Sequence, residues 1–347
     1  MRIGLNPQKD QLIDTVTYLH QIVIPVYIPN QEGYFKDSFA ILQLCLASLF
    51  RTVHEKTFIT VVNNGSCREV KEYADTLYQQ GKIQEVIHTD NIGKLNAILK
   101  GIAGNAIELV TITDADVLFL PHWQAETAKI FKALPKVGVV GIVPQFNMFK
   151  ANCENVIYDN LFSSILQFIP VKCPKGLVKF YKSIGWDEHY NKDFLEYALG
   201  IKYNNTIVYV GSGHFVATYK KQMFNKIPTY FDFKLGGNSE NYLDTLPLQN
   251  DYWRVSTYDN YGYHMGNVLE DWMSEINYDD ESRSAIIDSS FAVQEPYSCM
   301  LTKFKIRFVH KVLFQSRISK LFYTWKKLPK YMVKNYNIIS TLPQVKI

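Results

Sequence analysis

Apolar residues in the first half of the chain follow two patterns that alternate. Short runs that are apolar on both faces predict buried strands, and they lie at 20–29, 57–62, 83–89, 107–113 and 137–143. Between them, apolar residues at helical spacing predict helices at 36–50, 67–80, 93–104 and 121–134. Buried strands that alternate with helices predict an α/β fold, in which helices cover both sides of a mostly parallel sheet.

The pattern is weaker in the second half of the chain. Residues 150–205 mix aromatic and charged side chains, which favours an insertion that covers a site. Residues 206–224 predict a strand, a Gly-Ser-Gly turn and a helix. The stretch 236–267 is polar and aromatic, with many side chains that could bind a ligand.

Polar turns follow three of the predicted strands, at the point where each strand ends. They are "NNGS" at 63–66, "DNIGK" at 90–94 and "DAD" at 114–116. Parallel sheets bind their ligands at the carboxyl ends of the strands. We therefore expect these three turns to form one site.

Asp114 and Asp116 are separated by a single residue at the end of a buried strand. Side chains two positions apart on an extended chain point the same way, so their carboxylates repel unless a cation lies between them. Oxygen ligands of this kind suit Mg²⁺ or Mn²⁺. The alternative is a solvated loop with two turn-forming aspartates.

Composition indicates a globular protein of the reducing cytoplasm. Aromatic residues make up 14% of the chain, and tyrosine-rich surfaces suit sugars. The first 16 residues lack the apolar core of a secretion signal, and no run of 18 uncharged apolar residues predicts a membrane span. The cysteines lack metal-ligand or CxxC spacing, which favours free thiols at Cys45, Cys67, Cys153, Cys173 and Cys299.

The C-terminal segment differs in charge from the rest of the chain. Residues 301–347 contain 11 Lys or Arg and no Asp or Glu, whereas the whole chain has 37 basic and 33 acidic residues, so residues 1–300 carry a net charge of −7. Basic segments interleaved with apolar residues bind anionic membrane surfaces. The alternative is that the segment packs against the acidic body. Nucleic acid is not expected, since no binding motif accompanies the charge.

The motifs resemble, in their order, those of GT-A glycosyltransferases, and most closely those of the inverting family 2 group. The matching segments lie between about residues 20 and 267, and are "IVIPVYIP", "ITVVNNGS", "DNIGKLNAILKGI", "TITDADVLF", "GSGHFV", "SENYLD" and "YHMGN". The resemblance implies a GT-A, Rossmann-like catalytic domain over 1–290, followed by a basic helical extension over 291–347. It divides the domain into a nucleotide-binding half (about 20–145), the insertion (150–205) and an acceptor half (206–290).

The resemblance also implies roles for individual residues. Asp116 and His264 would bind the metal, and Gly211, Ser212 and Gly213 would line the pocket for donor and acceptor. Asn63 stands where the family usually has an aspartate. Lys94 could instead be a solvated lysine at the start of a helix, and His264 could instead be a packed histidine. The residues expected to contact the nucleotide are Pro25, Tyr27, Asn63, Asn91, Gly93, Lys94 and Asp114.

The catalytic base is less clearly marked. The family usually carries Glu-Asp before the acceptor-side helix, whereas this chain has Glu240 followed by Asn241, with Asp244 one helical turn later. Glu240 is the first candidate and Asp244 the second. The "LEDW" at 269–272 follows the His264 segment, which favours a helix face there.

The implied function is transfer of a hexosyl or N-acetylhexosaminyl group, with Mn²⁺ or Mg²⁺ and with inversion. The donor would be a nucleoside-diphosphate sugar, and the acceptor a hydroxyl of a saccharide or lipid-linked saccharide. The enzyme would be cytoplasmic, or peripheral on the inner face of the cell membrane. Two alternatives are a sugar nucleotidyltransferase and a non-catalytic carbohydrate- or nucleotide-binding module. The region around "IPVYIPNQEGYF" lacks the glycine-rich basic signature of the former.

Overall fold

A computed structural model gives the fold. It describes residues 4–12, 18–186, 190–226, 230–236, 239–287 and 299–336, without the side chains of Lys226, Ser239, Glu240, Asp280, Cys299 and Ser316.

Twelve strands are present in the described part of the chain. They are β1 (His20–Val26), β2 (Thr57–Asn64), β3 (Glu85–Thr89), β4 (Leu109–Thr113), β5 (Val117–Phe119), β6 (Val137–Gly141), β7 (Leu166–Pro170), β8 (Tyr197–Tyr203), β9 (Thr206–Val210), β10 (Val216–Lys220), β11 (Trp253–Thr257) and β12 (Gly262–His264).

The α-helices within the described ranges are α1 (Ser38–Thr52), α2 (Arg68–Gln79), α3 (Lys94–Ile102), α4 (Trp123–Ala133), α5 (Glu154–Asp159), α6 (Pro174–Ser183), α7 (Ser239–Gln249), α8 (Cys299–Phe308), α9 (Ser316–Trp325) and α10 (Lys330–Val333). A π-helical turn, Val309–Leu313, lies between α8 and α9.

The main sheet has ten strands in the order β3-β2-β1-β4-β10-β6-β11-β9-β8-β7. Strands β1 to β4, β6, β8 and β11 run in one direction, and β7, β9 and β10 run in the other. The mostly parallel sheet predicted from the sequence is therefore confirmed.

Two hydrophobic cores cover the two faces of this sheet, as the strands that are apolar on both sides require. In β1, Ile22 and Ile24 belong to one core and Val23 to the other. Helices α1, α2 and α4 pack on the first face, and α3 and α7 on the second. The predicted α/β fold with helices on both sides is confirmed.

The helix predicted after the Gly-Ser-Gly turn is wrong. The chain there forms strand β10, which pairs antiparallel with both β4 and β6 and is buried along its whole length. Val216, Thr218 and Tyr219 are β-branched or aromatic residues, which suit a central strand. A short 3₁₀ helix, Lys221–Lys226, follows the strand.

A separate two-stranded sheet joins two distant parts of the chain. Strand β12 pairs antiparallel with β5, and His264 is opposite Val117. The backbone N–H of Met265 donates to the carbonyl oxygen of Asp116 at 2.8 Å. This pairing fixes the late histidine segment beside the aspartate pair.

The described part of the C-terminal extension packs along the far edge of the domain. The side chain of Lys305 in α8 is almost fully buried and contacts Asp251 at 2.8 Å and Asp159 at 2.9 Å. Lys326 donates to the carbonyl oxygens of Asn160 and Ser163, at 3.2 and 2.9 Å. One side of the extension therefore binds the acidic body.

No helix in the described ranges is long and apolar enough to cross a bilayer. The four cysteines with described side chains, Cys45, Cys67, Cys153 and Cys173, are free thiols.

Candidate active site

Asp114 lies directly after β4, where an ion pair fixes it. Its backbone N–H donates to the carbonyl oxygen of Phe215 at 2.7 Å, and its Oδ1 is 2.7 Å from Nζ of Lys94. Lys94 is the first residue of α3. The lysine thus contacts the aspartate instead of extending into solvent.

Asp116 faces His264 across the junction of the two small strands. Its Oδ2 is 3.4 Å from Nε2 of His264. The other ring nitrogen, Nδ1, is 3.0 Å from Oγ of Ser183, and the rings of Phe180 and Phe215 pack edge-on against the imidazole. Because Ser183 occupies Nδ1, Nε2 is the nitrogen that faces Asp116.

The second carboxylate oxygen of Asp116 is the strongest sign of a cation site. Oδ1 is buried and has no hydrogen-bond partner, which is costly for a carboxylate. Burial raises the pKa of the Asp116 carboxyl; the charge of Asp114 adds to this effect, while His264 and Lys94 oppose it. A bound cation would satisfy this oxygen.

The chemistry of the available ligands fits a hard divalent ion. The described residues contain no group of three or more His, Cys, Asp or Glu that could hold a metal by itself. Asp116 and His264 offer one carboxylate and one imidazole. Mg²⁺ and Mn²⁺ commonly take few protein ligands and complete their shell with water and substrate phosphates.

The residues expected to contact the nucleotide surround the ends of β1, β2 and β3. Tyr27 follows β1 and is exposed, with its ring edge-on to Phe35. Pro25 is half-buried within β1. Tyr27 therefore presents an open aromatic face at the strand end.

Asn63 is buried at the end of β2 and is bonded inside the protein. Its Oδ1 accepts from the backbone N–H of Ser66 at 2.9 Å, and its Nδ2 is 3.0 Å from Nδ1 of His88. These contacts shape the "NNGS" turn. Contact with the nucleotide base stays a prediction.

Asn91 and Gly93 shape the turn before α3. Oδ1 of Asn91 accepts from the backbone N–H of Gly93 at 3.2 Å. Gly93 has φ +90°, and a Cβ there would lie 2.6 Å from the carbonyl oxygen of Phe233. Only glycine fits this turn, which sets the start of α3 and so the position of Lys94.

A cleft of about 200 Å³ opens beside His264. Gly213 lines it, whereas Gly211 packs against Met148 and Ser212 is fully buried. The cleft brings together residues from the insertion and from the acceptor half, and its lining is Gln145, Met148, Phe180, Ile184, Gly213, His214, Phe215, Asp244 and His264.

Asp244 lies in this cleft with both carboxylate oxygens engaged. Oδ1 is 2.6 Å from Nη2 of Arg254, and Oδ2 is 3.1 Å from Nδ1 of His214. Burial acts to raise the pKa of Asp244, but the hydrogen bond from His214 and the charge of Arg254 outweigh it and lower the pKa. Asp244 is thus held as a carboxylate.

The pKa of His214 is raised above its usual value of 6.5, whereas that of Asp244 is lowered. Burial acts to lower the pKa of His214, but the hydrogen bond to Asp244 and the charge of Asp244 outweigh burial and raise it. The side chain of Glu240, the first candidate for the base, lies outside the described residues.

Reasoning from the sequence missed His214, Arg254 and Ser183. His214 stands inside the "GSGHFV" motif, so its residue type was a signal that could have been used. Arg254 and Ser183 carry no local signal, since each acts through a residue on another element.

Comparison with known proteins supports the resemblance. The model of the family "Glycosyl transferase family 2" matches residues 22–180, a little under half of the chain. No curated protein of similar sequence is found.

The chain is also similar to solved structures that contain a sugar nucleotide. The chain is similar to S. aureus TarS 1–349 in complex with UDP-GlcNAc, with 13% identity and a TM-score of 0.43 over 75% of this chain and 61% of that one. It is also similar to a mannosyltransferase, PcManGT from Pyrobaculum calidifontis, in complex with GDP-Man and Mn²⁺. The values there are 15% identity and a TM-score of 0.40 over 72% of this chain and 57% of that one. The chain thus spans about 60% of these structures.

The family match covers β1 to β7 and therefore includes the Asp114–Asp116 pair, whereas His264, His214 and Asp244 lie beyond it. Over residues 22–180 the chain is thus similar to family 2 glycosyltransferases.

Proposed function

We propose that the chain is a metal-dependent, inverting glycosyltransferase that moves a hexosyl or N-acetylhexosaminyl group from a nucleoside diphosphate to a hydroxyl acceptor. The buried oxygen of Asp116 that lacks a partner, opposite His264, carries the proposal. A bound Mn²⁺ or Mg²⁺ would neutralise the charge that develops on the departing diphosphate.

The residues around this corner have separable tasks in the proposed reaction. Lys94 holds Asp114 in place, and Asp114 accepts from the ribose hydroxyls of the donor. Tyr27 offers its ring to the nucleotide. The cleft beside His264 receives the donor sugar and the acceptor, and its apolar wall of Met148, Phe180 and Phe215 excludes water.

The assay that tests this proposal uses the full chain with Mn²⁺ and, separately, UDP-glucose, UDP-GlcNAc and GDP-mannose. We expect slow release of free nucleoside diphosphate from at least one donor, because water can replace the acceptor. Release of pyrophosphate from a nucleoside triphosphate and a sugar phosphate would instead identify a nucleotidyltransferase. Binding of a donor without release would identify a non-catalytic module.

The acceptor is proposed to be a saccharide or lipid-linked saccharide that is reached at an anionic membrane surface. The outward side of the C-terminal extension carries large exposed apolar side chains, among them Leu321 (71% exposed) and Trp325 (51% exposed). Trp325 contacts the exposed ring of Phe162 on the body. Apart from Lys327, which donates to Oε1 of Gln167 on the body, the exposed cations of the described extension are Lys303, Arg307, Lys311, Arg317, Lys320, Lys330 and Lys334.

The inward and outward sides of the extension thus use their charge differently. Lys305 and Lys326 bind the body, while the exposed cations have apolar neighbours that suit the headgroup region of a bilayer. The enzyme would then be cytoplasmic and peripheral on the inner face of the cell membrane.

Vesicle flotation tests the membrane surface. We expect the intact chain to float with phosphatidylglycerol vesicles at low salt, and the double variant Leu321→Glu/Trp325→Glu to stay in the soluble fraction. Tyr78→Glu is the matched control, because Tyr78 is 54% exposed on α2 of the body. Equal flotation of all three proteins would remove the membrane role.

A further inference from the structure

His214 lies in the wall of the cleft that also contains His264. It stands between the Gly-Ser-Gly turn and β10, next to Phe215, whose carbonyl oxygen binds the backbone N–H of Asp114. The imidazole is therefore close to the end of β4, where the aspartate pair begins. Its side chain is 28% exposed, so a ligand in the cleft can reach it.

The two ring nitrogens of His214 have different surroundings. Nδ1 is 3.1 Å from Oδ2 of Asp244, to which it donates a hydrogen bond. Nε2 has no hydrogen-bond partner among the described residues. A proton held on Nδ1 by a carboxylate leaves the lone pair on Nε2, which is the tautomer that a general base requires.

Arg254 holds the carboxylate of Asp244 in place, and Asp244 in turn holds the imidazole of His214. The guanidinium is buried at the start of β11, where Nη2 donates to Oδ1 of Asp244 and to the carbonyl oxygen of Ser212. Arg254 thereby ties α7 and β11 to the turn that precedes His214. Three elements hold one imidazole in place.

Asp244 is a poorer base than His214 in this arrangement. Both of its oxygens are hydrogen-bonded, and the lowered pKa makes the carboxylate a weak proton acceptor. A histidine with a raised pKa suits proton transfer near neutral pH, where a base works best. The other charges that act on His214 are Lys94 of α3, which lowers its pKa, and Asp114 after β4, which raises it.

We propose that His214 is the catalytic base of the transfer and that Asp244 is its positioning residue, an inference that rests on the glycosyl transfer proposed above. Nε2 takes the proton of the acceptor hydroxyl as that oxygen forms a bond to the anomeric carbon. The bond from the anomeric carbon to the diphosphate oxygen breaks, and its electron pair leaves with the nucleoside diphosphate. The imidazolium then returns its proton to solvent.

The test measures nucleoside diphosphate release from the donor that the intact enzyme hydrolyses, with Mn²⁺ and with water as acceptor. His214→Ala should lower kcat about 100-fold or more, the usual size of a general-base contribution, and added imidazole should restore part of it. The Kd for the nucleoside diphosphate with Mn²⁺ should stay within about 3-fold of that of the intact enzyme, since Asp116 and His264 are unchanged. Asp271→Ala, at an exposed residue outside the cleft lining, is the control and should keep its activity, and Glu240→Gln is assayed beside it as the competing candidate for the base.

The pH profile separates a base from a structural residue. Activity requires neutral His214, so kcat should rise with pH through a midpoint above 6.5 and then level off. In Asp244→Asn the charged partner is gone, burial then dominates, and the midpoint should move to lower pH. His214→Ala should lose this limb.

Two results would overturn the inference and remain distinguishable. Full activity in His214→Ala, with a large loss in Glu240→Gln, would assign the base to Glu240 and leave glycosyl transfer intact. Absence of diphosphate release by the intact enzyme with all three donors would reject glycosyl transfer from those donors, and the inference with it.

Discussion

The carboxylates of Asp116 and Asp244 differ in how many of their oxygens have a partner. At the donor corner, Asp116 has one buried oxygen without a partner and a histidine at 3.4 Å from the other. At the acceptor wall, Asp244 has Arg254 on one oxygen and His214 on the other. The first arrangement costs folding free energy that a bound cation would offset, whereas in the second both carboxylate oxygens already have partners.

This difference separates carboxylates that could bind a ligand from carboxylates that support another side chain. A buried carboxylate with an open oxygen predicts a partner from outside the chain. A buried carboxylate with both oxygens bonded predicts a residue that holds another group in position. The two corners should therefore respond differently to the same substitution.

The largest effect is expected at the donor corner. Asp116→Ala should lower diphosphate release about 100-fold or more, because the cation loses its carboxylate ligand. The melting temperature without metal should hold or rise, since the unpartnered oxygen is removed. Exposed Asp271→Ala is the matched control and should change neither quantity. Unchanged release in Asp116→Ala would contradict the metal assignment.

A smaller effect on activity, but a clear loss of stability, is expected at the acceptor wall. Asp244→Ala leaves the buried guanidinium of Arg254 without its carboxylate, and the free energy of unfolding should fall by about 2 kcal/mol. Urea unfolding measures it, with Asp271→Ala again as control. A loss no larger than that of the control would show that the contacts of Asp244 do not stabilise the fold.

Much of the donor corner could be predicted from the sequence. Buried strands followed by polar turns predicted β1 to β4 and the edge where their ends meet. The spacing of Asp114 and Asp116 predicted two side chains on an extended segment, whereas Asp116 lies in the turn between β4 and β5. The order of motifs predicted His264 near this pair, and its Nε2 is 3.4 Å from Oδ2 of Asp116. Local signals sufficed for Asp114 and His264 because Asp114 directly follows β4 and His264 is the last residue of β12.

The acceptor wall could not be predicted in the same way. Its contacts join residues from the turn before β10, from α7 and from β11, and no local pattern reports which side chains meet across elements. The same limit explains the wrong helix at β10. The residue types of Val216 to Lys220 suit a strand, but only their pairing with β4 and β6 decides it.

Metal binding at Asp116 is tested most directly with a crystal of the full chain grown with Mn²⁺ and a nucleoside diphosphate, by anomalous scattering at the manganese edge. We expect one manganese peak at bonding distance from Oδ1 of Asp116 and from Nε2 of His264, in contact with the diphosphate. A bound diphosphate with Asp116 still unpartnered, or manganese held elsewhere, would show that the metal assignment is wrong.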